Sequence, residues 1–175
     1  MKNKVILKWF IFIIDKCHFN FLEFYCYDGS FSYGNVLEHV NVDSLAGKPK
    51  LFFIQACQGN KTDRGGFVSS DSVNSNTSYK NWHFDSSLLP TTADRFIFYS
   101  SYASYCSYRS PTHGSLFIQT LVKVFNEDAF KCDLSEMCNK VKKLVAEMDG
   151  VTNNYENIKQ MPTEQSTLRK RLRFY

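Results

Sequence analysis

The sequence predicts an α/β domain, a mixed and mainly parallel sheet held between layers of helices. Three observations predict it. Apolar runs at 5–14, 51–56 and 95–100 are continuous rather than alternating, as in strands covered on both faces. Helical patterns follow in the second half, and strands alternating with helices build layered domains. With 175 residues, 43% of them hydrophobic and 22% charged, the chain can bury one ordinary core.

The first run, 5–14, follows Lys2 and Lys4 and so imitates a signal peptide. Lys8 and Asp15 interrupt or end it, and no small-residue cleavage site follows. It also falls short of the roughly 20 residues that span a membrane. It reads as a buried strand, with no membrane partner expected. Residues 21–27 form a weaker strand, closed by a turn at Asp28-Gly29. Val36, Leu37 and Val40 give 33–42 a modest helical pattern. The stretch 115–125 is apolar nearly all round, as for a helix packed deep against a sheet. Asp133 and Glu136 are spaced as a capping box, in which each side chain accepts from a backbone amide of the first turn. Beyond them Leu134, Met137, Val141, Leu144, Val145 and Met148 fall on one face, and Gly150 is placed to end that helix in a left-handed conformation. Residues 59–88 and 149–160 are polar loops, the longer one of a length usually reserved for function or disorder. Arg169-Lys170-Arg171 reads as the solvated part of a last strand ending Leu172-Arg173-Phe174-Tyr175, although such a run could also meet acidic partners.

Charge and cysteine usage narrow the function classes. Lys plus Arg is 21 against 17 Asp plus Glu, a net +4 that would not by itself hold a nucleic-acid backbone. The 16 Phe and 10 Tyr are read as core. Six Cys stand at 17, 26, 57, 106, 132 and 138, with no CxxC and no zinc-ligand spacing, so neither a metal nor another cofactor is expected. A redox thiol protein would lack its usual paired motif. Reduced thiols in the cytoplasm are the simplest reading.

Chemistry concentrates where the strand at 51–56 ends. It delivers Cys57 to the carboxyl end of a strand, where ligands bind in open α/β sheets. A thiol there can be reached by a substrate, and a nearby His can take its proton. The residues Gln55-Ala56-Cys57-Gln58-Gly59 fit the caspase pattern Gln-Ala-Cys-(Arg/Gln/Gly)-Gly. Gly47-Lys48-Pro49-Lys50-Leu51-Phe52 before it, Tyr105-Cys106-Ser107-Tyr108-Arg109-Ser110 with Gly114-Ser115-Leu116-Phe117-Ile118-Gln119, and Lys159-Gln160-Met161-Pro162 extend the similarity. From about residue 7 to the end the chain resembles the caspase family of cysteine-aspartic peptidases, most nearly the invertebrate effector type.

The resemblance implies a three-layer caspase-like fold. It also implies a division into a partial large-subunit region (1–71), an intersubunit linker (72–92) and a small-subunit region (93–175), forming one folded domain. It makes Cys57 the nucleophile and His18, 39 residues upstream, the acid/base. The family reads Ser-His-Gly there, whereas this chain reads Cys17-His18-Phe19. His39 and His113 are competitors, read as surface residues of a helix and a loop. The amides of Cys57 and Phe19 would stabilise the oxyanion. Gln55, Ser107 and Arg109 would hold the substrate's Asp, with Tyr108 as an aromatic wall. A guanidinium fork suits a carboxylate better than an ammonium does. Asp71 is the first choice for the processing site and Asp85 the second.

The family begins with a strand, helix and strand that supply another pocket Arg, and the chain is expected to lack them. The edge of 5–14 would then be open, and turnover by the 175 residues poor. The expected partners are protein substrates cleaved after Asp and a second caspase subunit, in a homodimer or heterodimer. The implied role is in programmed cell death. The alternative is a catalytically weak homologue that pairs with an intact caspase and regulates it.

Overall fold

The computed structural model describes residues 11–19, 23–26, 29–42, 45–59, 61–63, 89–110, 112–152 and 155–174. Its main sheet has six strands in the order β10-β5-β4-β1-β2-β3. They are β1 (Ile11–Phe19), β2 (Glu23–Cys26), β3 (Gly29–Ser32), β4 (Lys50–Cys57), β5 (Arg95–Tyr99) and β10 (Thr163–Ser166). The central trio β1, β4 and β5 is parallel, and both margins pair antiparallel. A mixed sheet flanked by helices is the predicted α/β architecture.

β4 and β5 sit at the centre because their sequences, KLFFIQAC and RFIFY, offer apolar side chains to both faces. On one face Leu51, Phe53, Phe96 and Phe98 meet α2 (Leu116–Asp128) and α3 (Leu134–Glu147) through Phe117, Leu121, Val124, Met137, Val141 and Val145. The rings pack edge-on, Phe98 against Phe117 with centroids 5.1 Å apart and Phe53 against Phe125 at 5.7 Å. On the other face Phe52, Ile54, Ile97 and Tyr99 pack with Val40, Leu45 and the short α1 (Tyr33–Glu38). The Tyr33 and Tyr99 hydroxyls hydrogen-bond there.

The capping box forms as expected: Asp133 Oδ1 accepts from the Glu136 amide at 3.0 Å and Glu136 Oε2 from the Asp133 amide at 2.8 Å. Other expectations are corrected. α2 is one-sided rather than apolar all round: Phe117, Thr120, Leu121 and Val124 are buried while Val122 is exposed. Gly150 does not cap α3. The helix ends at Glu147, Met148 is extended, and Gly150 opens β8 (Gly150–Thr152), which pairs with β9 (Tyr155–Ile158). Residues 150–152 and 155–158, within the stretch read as a loop, are therefore paired strands. The last strand is β10, not the terminus. Leu172 and Phe174 instead pack onto the α2–α3 core, and the Leu172 carbonyl accepts from the Leu134 amide at 2.8 Å.

The strand placed at 5–14 is described from Ile11 and runs to Phe19. It is not the outermost strand, because the β2–β3 hairpin follows it in the sheet. Among the described residues that hairpin pairs with His18 and Phe19, whereas Ile11 to Ile14 find their partners on β4. Gly29, at φ +148°, opens β3 opposite Cys26, a conformation that favours glycine; Asp28, the other half of the expected turn, lies outside the described residues.

The other face of the basic terminal run is tied down. Asp94, nearly buried and left-handed at φ 58°, accepts from Arg169 Nη2 at 2.6 Å and Nε at 3.1 Å. The Arg169 guanidinium holds the Asp94 carboxyl below its usual range. Only Lys170 and Arg171 of the triplet match the solvated expectation without such a tie.

Candidate active site

The carboxyl ends of β1 and β4 lie side by side, with His18 opposite Cys57 in the parallel register and Cys17 opposite Ala56. Residues 39 apart in sequence are thus neighbours across the sheet. Phe19 continues β1 past that point and pairs with Phe24 of the hairpin.

Opposite β4's end runs the segment 100–109. Ser100 extends the β5 ladder beyond its strand: its amide donates to the Ile54 carbonyl at 2.9 Å, and its hydroxyl bridges the Ala56 amide and carbonyl, both at 3.2 Å. The chain then turns at Ser104, left-handed at φ 74°, and interlocks with residues 58–61. The Gln58 amide donates to the Tyr105 carbonyl and the Ser104 amide to the Gln58 carbonyl, each at 3.0 Å. The Lys61 amide donates to Ser104 at 3.0 Å and the Cys106 amide to Lys61 at 2.9 Å. Gly59 lies so close to the Ser104 backbone that a Cβ there would collide with it, which is why the motif ends in Gly. Gln58 is buried and its side chain donates to the Ser101 carbonyl.

This interlock carries Ser107 onto Cys57. The Ser107 amide donates to Cys57 Sγ at 3.2 Å, and Ser107 Oγ accepts from Gln55 Nε2 at 2.8 Å. Gln55, 4% exposed, also accepts from Ser115 Oγ at 2.5 Å. Ser115 caps α2 through the Ile118 amide and pairs with Arg109 across the β6–β7 ladder (Arg109–Ser110 with Gly114–Ser115). The structure therefore joins Gln55, Cys57, Ser107 and the Arg109 backbone into one cluster, with the Arg109 residue exposed. Burial pushes the Tyr108 hydroxyl up, against the opposing effect of the Thr62 hydroxyl. Asp71 and Asp85, and with them linker positions 72–88, lie outside the described residues.

Sequence reasoning missed one member. Gln160 is 3% exposed, accepts from the Tyr108 amide at 2.8 Å and donates to the Ser100 carbonyl at 2.7 Å. It fixes the segment after Ser107 against the end of β5. A glutamine inside a polar stretch gives no such signal from sequence; only its place beside Met161-Pro162 hinted at it. His39 and His113 stand elsewhere. The His39 ring bonds the Asn35 carbonyl at 2.6 Å, and the His113 ring bonds Thr112 Oγ1 at 2.8 Å. Among the described residues no group of three or more His, Cys, Asp and Glu is arranged to hold a metal.

The similarity of this chain to known proteins is broad. The structure of caspase-1 from Spodoptera frugiperda aligns at a TM-score of 0.75 and 28% identity, covering 94% of this chain and 61% of that one. Caspase-7 of Gallus gallus is 35% identical over 134 residues, which is 75% of this chain and 43% of the relative. Caspase-9 of Homo sapiens is 34% identical over 156 residues (80% and 36%), and caspase-1 of Drosophila melanogaster 38% over 141 (75% and 41%). The chain thus spans about two-fifths of the length of these relatives. A caspase-domain family model matches residues 22–173, which hold the Cys57 strand end, the interlocked 104–109 segment and Gln160. A thiol at the end of a central parallel strand and a sequence match across that whole frame agree: this chain belongs to the caspase family.

Proposed function

We propose that the chain carries the chemistry of an Asp-directed cysteine endopeptidase, with Cys57 as nucleophile and His18 as its acid/base. The observation that supports this best is the adjacency of His18 and Cys57 in register at the ends of two parallel strands. In the proposed reaction Cys57 sulphur attacks the backbone carbonyl carbon of a substrate Asp while His18 takes the thiol proton and returns it to the leaving amine of the next residue. The amides of Cys57 and Phe19 receive the oxyanion. Water then releases the acyl group from Cys57 with His18 as base. Gln55, Ser107 and Arg109 hold the Asp carboxylate, and Tyr108 walls the adjoining subsite. The Gln55–Ser107–Ser115 hydrogen bonds support a preorganised pocket floor. Activation by cleavage after Asp71, or failing that Asp85, action in the cytoplasm, pairing with a second caspase subunit and a role in programmed cell death belong to the same reading.

A second reading has its own observation. By resemblance Phe19 stands where the family has Gly, and any side chain at that position adds bulk that Gly lacks. On that reading the chain pairs with an intact caspase and regulates it. A fluorogenic tetrapeptide ending in Asp, set against the same peptide ending in Asn, separates the two. The enzyme reading expects Asp-selective turnover that vanishes in Cys57→Ala and rises in Phe19→Gly. No turnover in either form, with altered activity of an added caspase, supports the regulator. Equal turnover of both peptides, or full activity in Cys57→Ala, contradicts the enzyme reading.

A further inference from the structure

Two thiols far apart in sequence meet at this site. Cys57 and Cys106 are separated by 49 residues, but the ladder between 58–61 and 104–106 brings their backbones alongside each other. Ser107, the residue after Cys106, donates its amide to Cys57 Sγ at 3.2 Å. Cys106 Sγ donates to the Gly59 carbonyl at 3.3 Å, two residues beyond Cys57. Each sulphur is therefore anchored on the segment that carries the other. Both thiols are free and neither is fully buried. A disulfide needs Cβ atoms about 3.8 Å apart, and four backbone hydrogen bonds cross-link the two segments that carry these sulphurs.

We propose that Cys57 and Cys106 form a reversible disulfide under peroxide, a modification site in which Cys106 resolves oxidised Cys57. In the first step Cys57 sulphur attacks hydrogen peroxide, the S–O bond forms, the O–O bond breaks, and one water leaves. In the second, Cys106 sulphur attacks the Cys57 sulfenic sulphur, the S–S bond forms, and the hydroxyl leaves with the Cys106 proton as a second water. Two thiols lose two electrons and one peroxide gains them. A small dithiol reverses the change by exchange.

The order of the two sulphurs follows from their surroundings. Burial, and then the neighbouring Cys57 sulphur, push the Cys106 thiol up, which disfavours the thiolate form that attacks peroxide. Cys132 and Cys138 lie apart, on the α2–α3 side of the core, and Cys138 is pushed up strongly by burial. Neither of these two thiols is therefore placed to compete.

The link would hold the Cys57 sulphur out of reach of any substrate carbonyl and protect it from irreversible oxidation. Its consequence for peptidase turnover rests on the proposed function, but its formation does not. The test is peptide mapping of the purified 175-residue chain after brief exposure to hydrogen peroxide, with and without later dithiothreitol. Expected is a cross-linked pair of peptides holding Cys57 and Cys106 that dithiothreitol separates. In Cys106→Ser the link is absent, and sulfinic acid at Cys57 rises about tenfold for the same exposure. A Cys132→Ser control leaves both results unchanged. Oxidation of wild-type Cys57 to sulfinic acid with Cys106 unlinked overturns the proposal, as does a link from Cys57 to another cysteine. If Cys106→Ser does not fold, the wild-type map alone decides. A wild-type link in a chain without peptidase turnover would count against the proposed function and leave the disulfide standing.

Discussion

The two ends of β4 are held by different forces. Leu51, Phe52, Phe53 and Ile54 are each at most 2% exposed and are fixed by packing against α2 and α3 on one face and α1 on the other. Immediately after Ile54, Gln55 and then Cys57 are fixed by hydrogen bonds to Ser107 and Ser115, which arrive from the far half of the chain. Packing sets where the strand lies; directed polar contacts set where its end points. The first is tolerant of detail and strong, the second weaker and exact in geometry.

That contrast predicts a ranking of effects. Phe117→Ala should cost about 3–5 kcal/mol in denaturant unfolding, because a fully buried ring at the heart of the aromatic cluster leaves a cavity. A loss no larger than that of a surface variant would break the comparison. Gln55→Ala should cost less, about 1–3 kcal/mol, since it strands the Ser107 and Ser115 hydroxyls. It should nevertheless weaken binding of Asp-ended peptides more than Phe117→Leu does, measured by inhibition constants. Asp133→Ala should cost about 0.5–2 kcal/mol by removing the α3 cap, with no change at the site.

Asp94→Asn should show the smallest change at neutral pH, since the Arg169 side chain is 44% exposed and screened by water. Its sign is set by pH. Because Arg169 lowers the folded Asp94 pKa, the pair stabilises the fold fully above the unfolded carboxyl value of about 3.9. That stability is lost as pH falls through the lower folded value. Thermal melts of the two proteins should therefore differ most at neutral pH and converge in acid. A gap that widened in acid would contradict the assignment.

The strong end of β4 was the legible one. Continuous apolar runs and the Asp133–Glu136 spacing are local signals; they predict the strands at 50–57 and 95–99 and the helix at 134–147, while the run 5–14 is described only from Ile11. The site was legible only through its motif: Gln55 and Cys57 are two apart in sequence, and Ser107 and Arg109 share a second short block. Gln160 was not, because its function as a bracket between Tyr108 and Ser100 exists only after β10 and β5 have paired. Nor was the Cys57–Cys106 neighbourhood, which depends on a ladder between segments that carry no strand pattern. The terminus misled for the related reason that Leu172 and Phe174 alternate like a strand yet satisfy the α2–α3 core from a non-strand backbone. Residues 150–152 and 155–158 misled in the opposite sense, lying in a polar stretch and still paired as β8–β9.

The central claim is that hydrogen bonds at the end of β4 aim Cys57 at an Asp-bearing substrate. Covalent labelling tests it without requiring turnover. A peptidyl acyloxymethyl ketone ending in Asp is incubated with the 175-residue chain, alongside the Asn-ended counterpart, and the labelled cysteine is located by peptide mapping. The account predicts alkylation of Cys57 by the Asp reagent, slower labelling in Gln55→Ala, and little labelling by the Asn reagent. Equal labelling by both reagents, or alkylation spread evenly over Cys57, Cys106 and Cys132, would contradict it.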